Sequence, residues 1–185
     1  MFQRFQCTIL VLLLGLPIYS PAHDSSFATL EFIRISPVSW AFKIQTPLYG
    51  LDQSMRKFHA DKPDVLKSLV AGSRAYKELI VAYIKAEFDA TAFKQTMDEA
   101  TRSEAIKLQL GQGRIKLNSH LSTLIFEVKG MPESVGKMAL KFSYMADNKT
   151  QTNVLRLVDG ERKKRYSLSA SNDFSVSDIE FFNAY

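Results

Sequence analysis

"WAFKIQ", residues 40–45, alternates without a break: Trp40, Phe42 and Ile44 fall on one side, Lys43 and Gln45 on the other. That period of two is the mark of a strand with one face in a core and one in water. The preceding "FATLEFIRI" is equally rich in β-formers, and "SPVS" between the two segments carries Pro37 as turn punctuation. The two segments therefore predict a hairpin, closed beyond by Pro47 and Gly50.

The same alternation returns in the second half of the chain. "HLSTLIFEVKG" sets Leu124, Phe126 and Val128 on one face, and "KMALKFSY" does so with Met138, Leu140, Phe142 and Tyr144. "TNVLRLV" and "KRYSLS" flank Asp159-Gly160, a dipeptide favoured in tight hairpins. "AIKLQL" and "RIKL" flank Gly111-Gln112-Gly113, which reads as another hairpin connection, and "FSVSDIEFF" reads as an edge strand.

Helical spacing is confined to the middle. After Ser73, residues Tyr76, Leu79, Ile80, Tyr83 and Ile84 make one stripe at i, i+3, i+4, i+7 and i+8. Pro63-Asp64 opens a shorter helical segment that Gly72 ends, and "LDQSMRKFH" fits a short helix or a loop. Over residues 89–105, Phe93, Met97, Ala100 and Ala105 can line a second stripe with Asp89 as its N-cap, whereas a loop with a short strand is the competing reading. The helical reading is taken. The resulting expectation is a mainly β, antiparallel β-sandwich-like domain (α+β overall) over 23–185, with a helical insertion at about 51–104.

The first residues set the compartment. Arg4, the apolar "CTILVLLLGLPIY" and Ser20-Pro21-Ala22 make the three parts of a secretory signal over residues 1–22. The apolar run is shorter than the roughly 18–20 residues a membrane span needs, and Pro17 interrupts it. The expectation is cleavage after Ala22 and an extracytoplasmic location, periplasmic or secreted, with no transmembrane span remaining. Cys7, the single cysteine, leaves with the signal, so a disulfide, a thiol nucleophile and a cysteine metal site are all excluded from the mature chain. Losing Arg4 lowers the net charge from +5 to +4, a mild balance of mixed signs that does not mark a nucleic-acid binder.

The order of residues resembles a known family. "AHDSSFATLEF", "WAFKIQTPLYGLDQSM" and "TLIFEVKGMPESVGKMALKFSYMADNKTQTNVLRL" are similar to the extracytoplasmic domain of HupE/UreJ-type membrane proteins. They resemble equally a group of short secreted bacterial proteins of unknown function. The resemblance implies a β-sandwich, supplies no catalytic residues, and implies service to a metal-handling membrane system. HupE/UreJ proteins continue into several membrane helices, and the sequence ends at Tyr185 with no such segment.

The functional expectation is an exported non-catalytic accessory or binding module, with a membrane protein or protein complex as partner and no cofactor. Hydrolase and nucleotide-binding signatures such as G-x-S-x-G, H-E-x-x-H and G-x-x-x-x-G-K-[ST] do not occur. The alternative is a Cu(II)- or Ni(II)-binding protein. After cleavage, the amine and imidazole of His23 make a chelate that His120 can complete with a third nitrogen, whereas His59 sits in the less certain helical region. Tyr76 and Tyr83, chiefly core contacts by their spacing, are also the first candidates for a partner surface on the helix. Arg162-Lys163-Lys164-Arg165 reads as a solvated hairpin tip or edge strand, where lysines discourage aggregation, in preference to a contact with anionic lipid.

Overall fold

The computed structural model describes residues 27–94, 104–147 and 150–181. The signal segment and His23 lie outside the described residues, as do positions 95–103 of the second helical stripe.

Two sheets enclose one core. β1 (Phe27–Ser36) and β2 (Ser39–Thr46) form the expected hairpin, with Phe32 opposite Phe42 and Leu30 opposite Ile44. The helices follow: α1 (Leu48–Phe58), α2 (Pro63–Lys67) and α3 (Arg74–Glu87). The remaining strands are β3 (Phe88–Lys94), β4 (Ala105–Lys107), β5 (Gln109–Lys116), β6 (Ser122–Lys129), β7 (Val135–Phe142), β8 (Thr152–Asp159), β9 (Arg162–Ser169) and β10 (Ser175–Glu180). One sheet has the order β5-β6-β2-β1-β8-β9, the other β10-β7-β3-β4. The inward residues of the alternating strands are fully buried, among them Phe32, Phe42, Ile44, Phe126, Leu140 and Phe142. This is the mainly β, sandwich-like α+β domain that the alternation predicts.

Three local expectations are corrected. Residues 88–94 are a strand, not a helix: Phe88, Ala90 and Ala92 face the core at a period of two while Asp89 is exposed, so Asp89 caps nothing. The helices accordingly span 48–87, and the inserted region does not stay helical to 104. Gly111-Gln112-Gly113 is no turn either. It lies inside β5, where Leu110 opposes Val128 and Gly113 opposes Phe126, a bulge that sets two residues against one. A methyl group on Gly113 would sit 2.5 Å from the Phe126 ring, so this glycine allows a close approach of backbone and ring. The third correction concerns direction, because β1 and β8 run parallel from Phe27 beside Thr152 to Arg34 beside Asp159.

The helices close one end of the sandwich. Ser73 caps α3 by accepting a bond from the Tyr76 N–H at 3.1 Å. Tyr76, Ile80, Tyr83 and Ile84 then join Leu51 and Met55 of α1 in the common core. At the far end Trp40 meets Phe181 edge to face, with ring centroids 5.1 Å apart.

Candidate functional site

Where the helices meet the sheet, each of three buried tyrosines holds a different pair of elements together. The Tyr76 hydroxyl donates to Asp52 at 2.8 Å and ties α3 to α1. Tyr83 accepts from the Met145 N–H at 3.0 Å and ties α3 to the turn after β7. Tyr144 shares a 2.7 Å bond with Thr46, joining that turn to the end of β2. Burial raises the ionisation of all three, Tyr83 to about 12. Beneath them Gln151 donates to Asn153, which donates to the Tyr144 carbonyl, and the Gln151 Oε1 atom is buried without a partner among the described residues.

Against this cluster lies a cleft of about 230 Å³, lined by Ser54, Lys57, Phe58, Tyr83, Glu87 and Asp147 among others. Asp147 is engaged by the Ser54 hydroxyl at 3.2 Å and by Lys57 at 3.4 Å. Glu87 has no hydrogen-bond or ion-pair partner among the described residues. Its partial burial, and then the negative charge of Asp147, hold its carboxyl above the usual range. A second groove, about 280 Å³, runs over the outer face of the four-stranded sheet past Asp89, Thr91, Ala139, Lys141 and Ser175. Both volumes fall below the roughly 300 Å³ at which small-molecule pockets begin.

The sequence-derived site residues are dispersed. Tyr76 and Tyr83 are 1% and 4% exposed, so they are core residues and offer no surface to a partner. Their hydroxyls, which a half-wet interface would use, are spent inside the fold. His59 is buried, and its Nε2 must carry the proton because it faces the Leu79 carbonyl at 3.1 Å. His120 does not head a strand. It is exposed in the loop before β6, with its backbone N–H bonded to the Asn118 side chain at 3.1 Å. The described residues contain no group of three histidine, cysteine or acidic side chains arranged to hold a metal ion.

The charged groups that do gather are on the open face of the six-stranded sheet. Register places Arg114 beside Ile125, Ile125 beside Lys43, Lys43 beside Glu31, Glu31 beside Arg156, and Arg156 beside Arg165, one row across all six strands. Glu31 is answered twice, by Lys43 at 2.9 Å and Arg156 at 3.4 Å. Lys116 and Lys163 flank the row on the same face. Arg114, Lys116, Lys163 and Arg165 are exposed and form no ion pair among the described residues. Sequence reading missed this face because its members lie on strands far apart in the chain, and only the pairing order unites them.

Comparison with known proteins adds no relative: no family model matches the chain, and no curated protein matches it.

Proposed function

We propose that the chain is an exported, non-catalytic binding module of a membrane-associated system, and that it meets its partner through the open face of the six-stranded sheet. The observation that carries this reading is the set of four cations, Arg114, Lys116, Lys163 and Arg165, exposed there and forming no ion pair among the described residues. Like charges held on one sheet repel each other at some cost in stability, which an anionic partner relieves. The resemblance to HupE/UreJ-type domains supports the membrane connection.

Hydroxyl-radical footprinting of the exported chain in intact envelopes and in free solution tests this. Protection over Ile125, Arg156 and Arg165 in envelopes is expected. Equal reactivity in the two settings would count against a partner on this face.

A second reading, a Cu(II)- or Ni(II)-binding protein, is favoured by the strand order. Ser122 opposes Thr46 and Thr29 opposes Gln45, so β6 and β1 both begin at the same end of the sheet. His120 precedes one of these strands and His23 precedes the other in sequence, with starting points two strand spacings, about 10 Å, apart. In this reading the metal would meet the His23 amine, its ring and the His120 ring. Metal titration of correctly processed chain is the test.

A further inference from the structure

The parallel pairing of β1 with β8 brings two hairpin tips to one end of the six-stranded sheet. Arg34 and Asp159, the last residues of that pairing, are joined by an ion pair at 3.5 Å. Beyond Arg34 come Ile35, near the end of β1, and Pro37 and Val38 of the β1–β2 turn, and Ile35 and Val38 are 64% and 61% exposed. Beyond Asp159 the chain turns into β9, whose Lys163 and Arg165 stand on the open face. An apolar tip thus sits beside a group of cations.

Resting on the binding-module reading, we infer that this half of the open face docks on an anionic phospholipid bilayer. Arg156, Lys163 and Arg165 contact the phosphates, and Ile35 and Val38 enter the boundary between headgroups and acyl chains. A β-sheet twists by roughly 20–25° per strand, so over six strands the cations of β5 point about 100° away from those of β9. One bilayer therefore meets one half of the row. The β9 half is the one with the apolar tip.

A dissolved polyanion or an acidic peptide would use the cations but gain nothing from two exposed aliphatic side chains at a hairpin tip. A bilayer uses both, since basic residues are attracted to its surface and aliphatic ones leave water at its boundary. Glu31 does not oppose the contact, because Lys43 and Arg156 already neutralise it.

The test is sedimentation of the exported chain with vesicles of phosphatidylglycerol mixed with phosphatidylcholine, beside vesicles of phosphatidylcholine alone. Binding only to the anionic vesicles, weakened by salt, is expected. The triple variant Arg156→Gln, Lys163→Gln, Arg165→Gln should lose about a hundredfold in partition, each charge contributing about fivefold. The pair Ile35→Ser, Val38→Ser should lose about tenfold with charge unchanged. A control with the same charge loss on and beside the helices, Lys62→Gln, Lys67→Gln, Lys85→Gln, should bind within a small factor of wild type. All of these side chains are exposed, and matching thermal midpoints verify folding. Absence of vesicle binding, or equal losses in the triple variant and its control, would overturn the bilayer assignment. If the envelope footprint persists without vesicle binding, the bilayer is wrong while a protein or polyanion partner stands. If vesicles bind but the envelope footprint is absent, the binding-module reading fails instead.

Discussion

The phenol oxygen of Tyr83 accepts the backbone N–H of Met145 at 3.0 Å, and Met145 sits in the left-handed region at φ 57. A non-glycine residue there carries about 1–3 kcal/mol of strain, so its neighbours must hold it. Tyr83 supplies one restraint, and the Thr46–Tyr144 bond fixes the preceding residue. Removing the Tyr83 oxygen leaves a buried donor unpaired, which costs about 1–3 kcal/mol. Tyr83→Phe should lower the unfolding free energy by that amount, seen as a lower urea midpoint with an unchanged slope, whereas an unaltered midpoint would mean that the bond contributes nothing.

The same tyrosines make stability fall in alkali. Their native ionisation is raised above the ordinary value near 10, that of Tyr83 to about 12. Between those limits the native state holds protons that the unfolded chain releases. Stability from this source is therefore complete below about pH 10 and lost as pH rises toward 12. In wild type, the part of the tyrosinate absorbance that Tyr76, Tyr83 and Tyr144 contribute should appear late and together with unfolding. Tyr83→Phe should reduce the alkaline slope. If Tyr83→Phe removed an early, reversible part of the signal with the fold intact, that would contradict the burial of Tyr83.

Two glycines separate crowding from backbone strain. Gly113 faces the Phe126 ring, and an added methyl would lie 2.5 Å from it; Gly72 has φ 81 and nothing within 4 Å. Phe126 is fully buried and cannot withdraw without disturbing the core. Gly113→Ala should therefore cost about 1–3 kcal/mol as an overpacking effect. Gly72→Ala should cost about 1–2 kcal/mol from its left-handed backbone alone. The distinguishing measurement is the double variant Gly113→Ala, Phe126→Leu, in which the penalty at 113 should shrink, while the penalty at 72 should be independent of Phe126.

These glycines also mark where sequence reading succeeds and where it fails. Trp40, Phe42 and Ile44 declare their strand because large side chains alternate, and Ser73 followed by the Tyr76–Ile84 stripe declares its helix. β3 is disguised: its inward residues after Phe88 are Ala90 and Ala92, small side chains that favour helices when isolated, and pairing with β7 overrides that preference. Gly111-Gln112-Gly113 looks like a turn because its glycines answer a distant demand, the ring of Phe126. The β1–β8 pairing and the cationic row have no local signal at all, since they depend on which strands become neighbours. The tyrosines were legible as core by spacing, but not the partners of their hydroxyls.

Glu87 should be a cost to the fold at neutral pH. Its carboxyl is held above the usual range, first by burial and then by Asp147. The native state accordingly binds the proton more tightly than the unfolded chain, and stability from this group declines as pH rises through the carboxylate range toward neutral. Glu87→Gln removes the charge but keeps the shape, so it should raise stability at pH 7 and abolish this group's decline in stability with rising pH. The magnitude should be small because the group is only half-buried. A loss of stability in Glu87→Gln would instead mean that the ionised carboxylate makes a favourable contact in the cleft.

The metal reading stands or falls on the length of the chain before β1. If the cut falls after Ala22, the His23 amine and imidazole are free together, and His120 lies at the same end of the sheet as the strand that follows. Cu(II) should then bind about one to one. One added residue before His23 removes the free amine from the chelate and should weaken binding sharply. His120→Ala should do likewise, but His59→Ala should not, because that ring is buried against the Leu79 carbonyl. Metal requires the imidazoles unprotonated, so affinity should fall as pH drops through about 6.5. Isothermal titration of the processed chain beside the extended one decides the matter: equal affinities would leave His23 with no ligand role and the open sheet face as the functional feature to pursue.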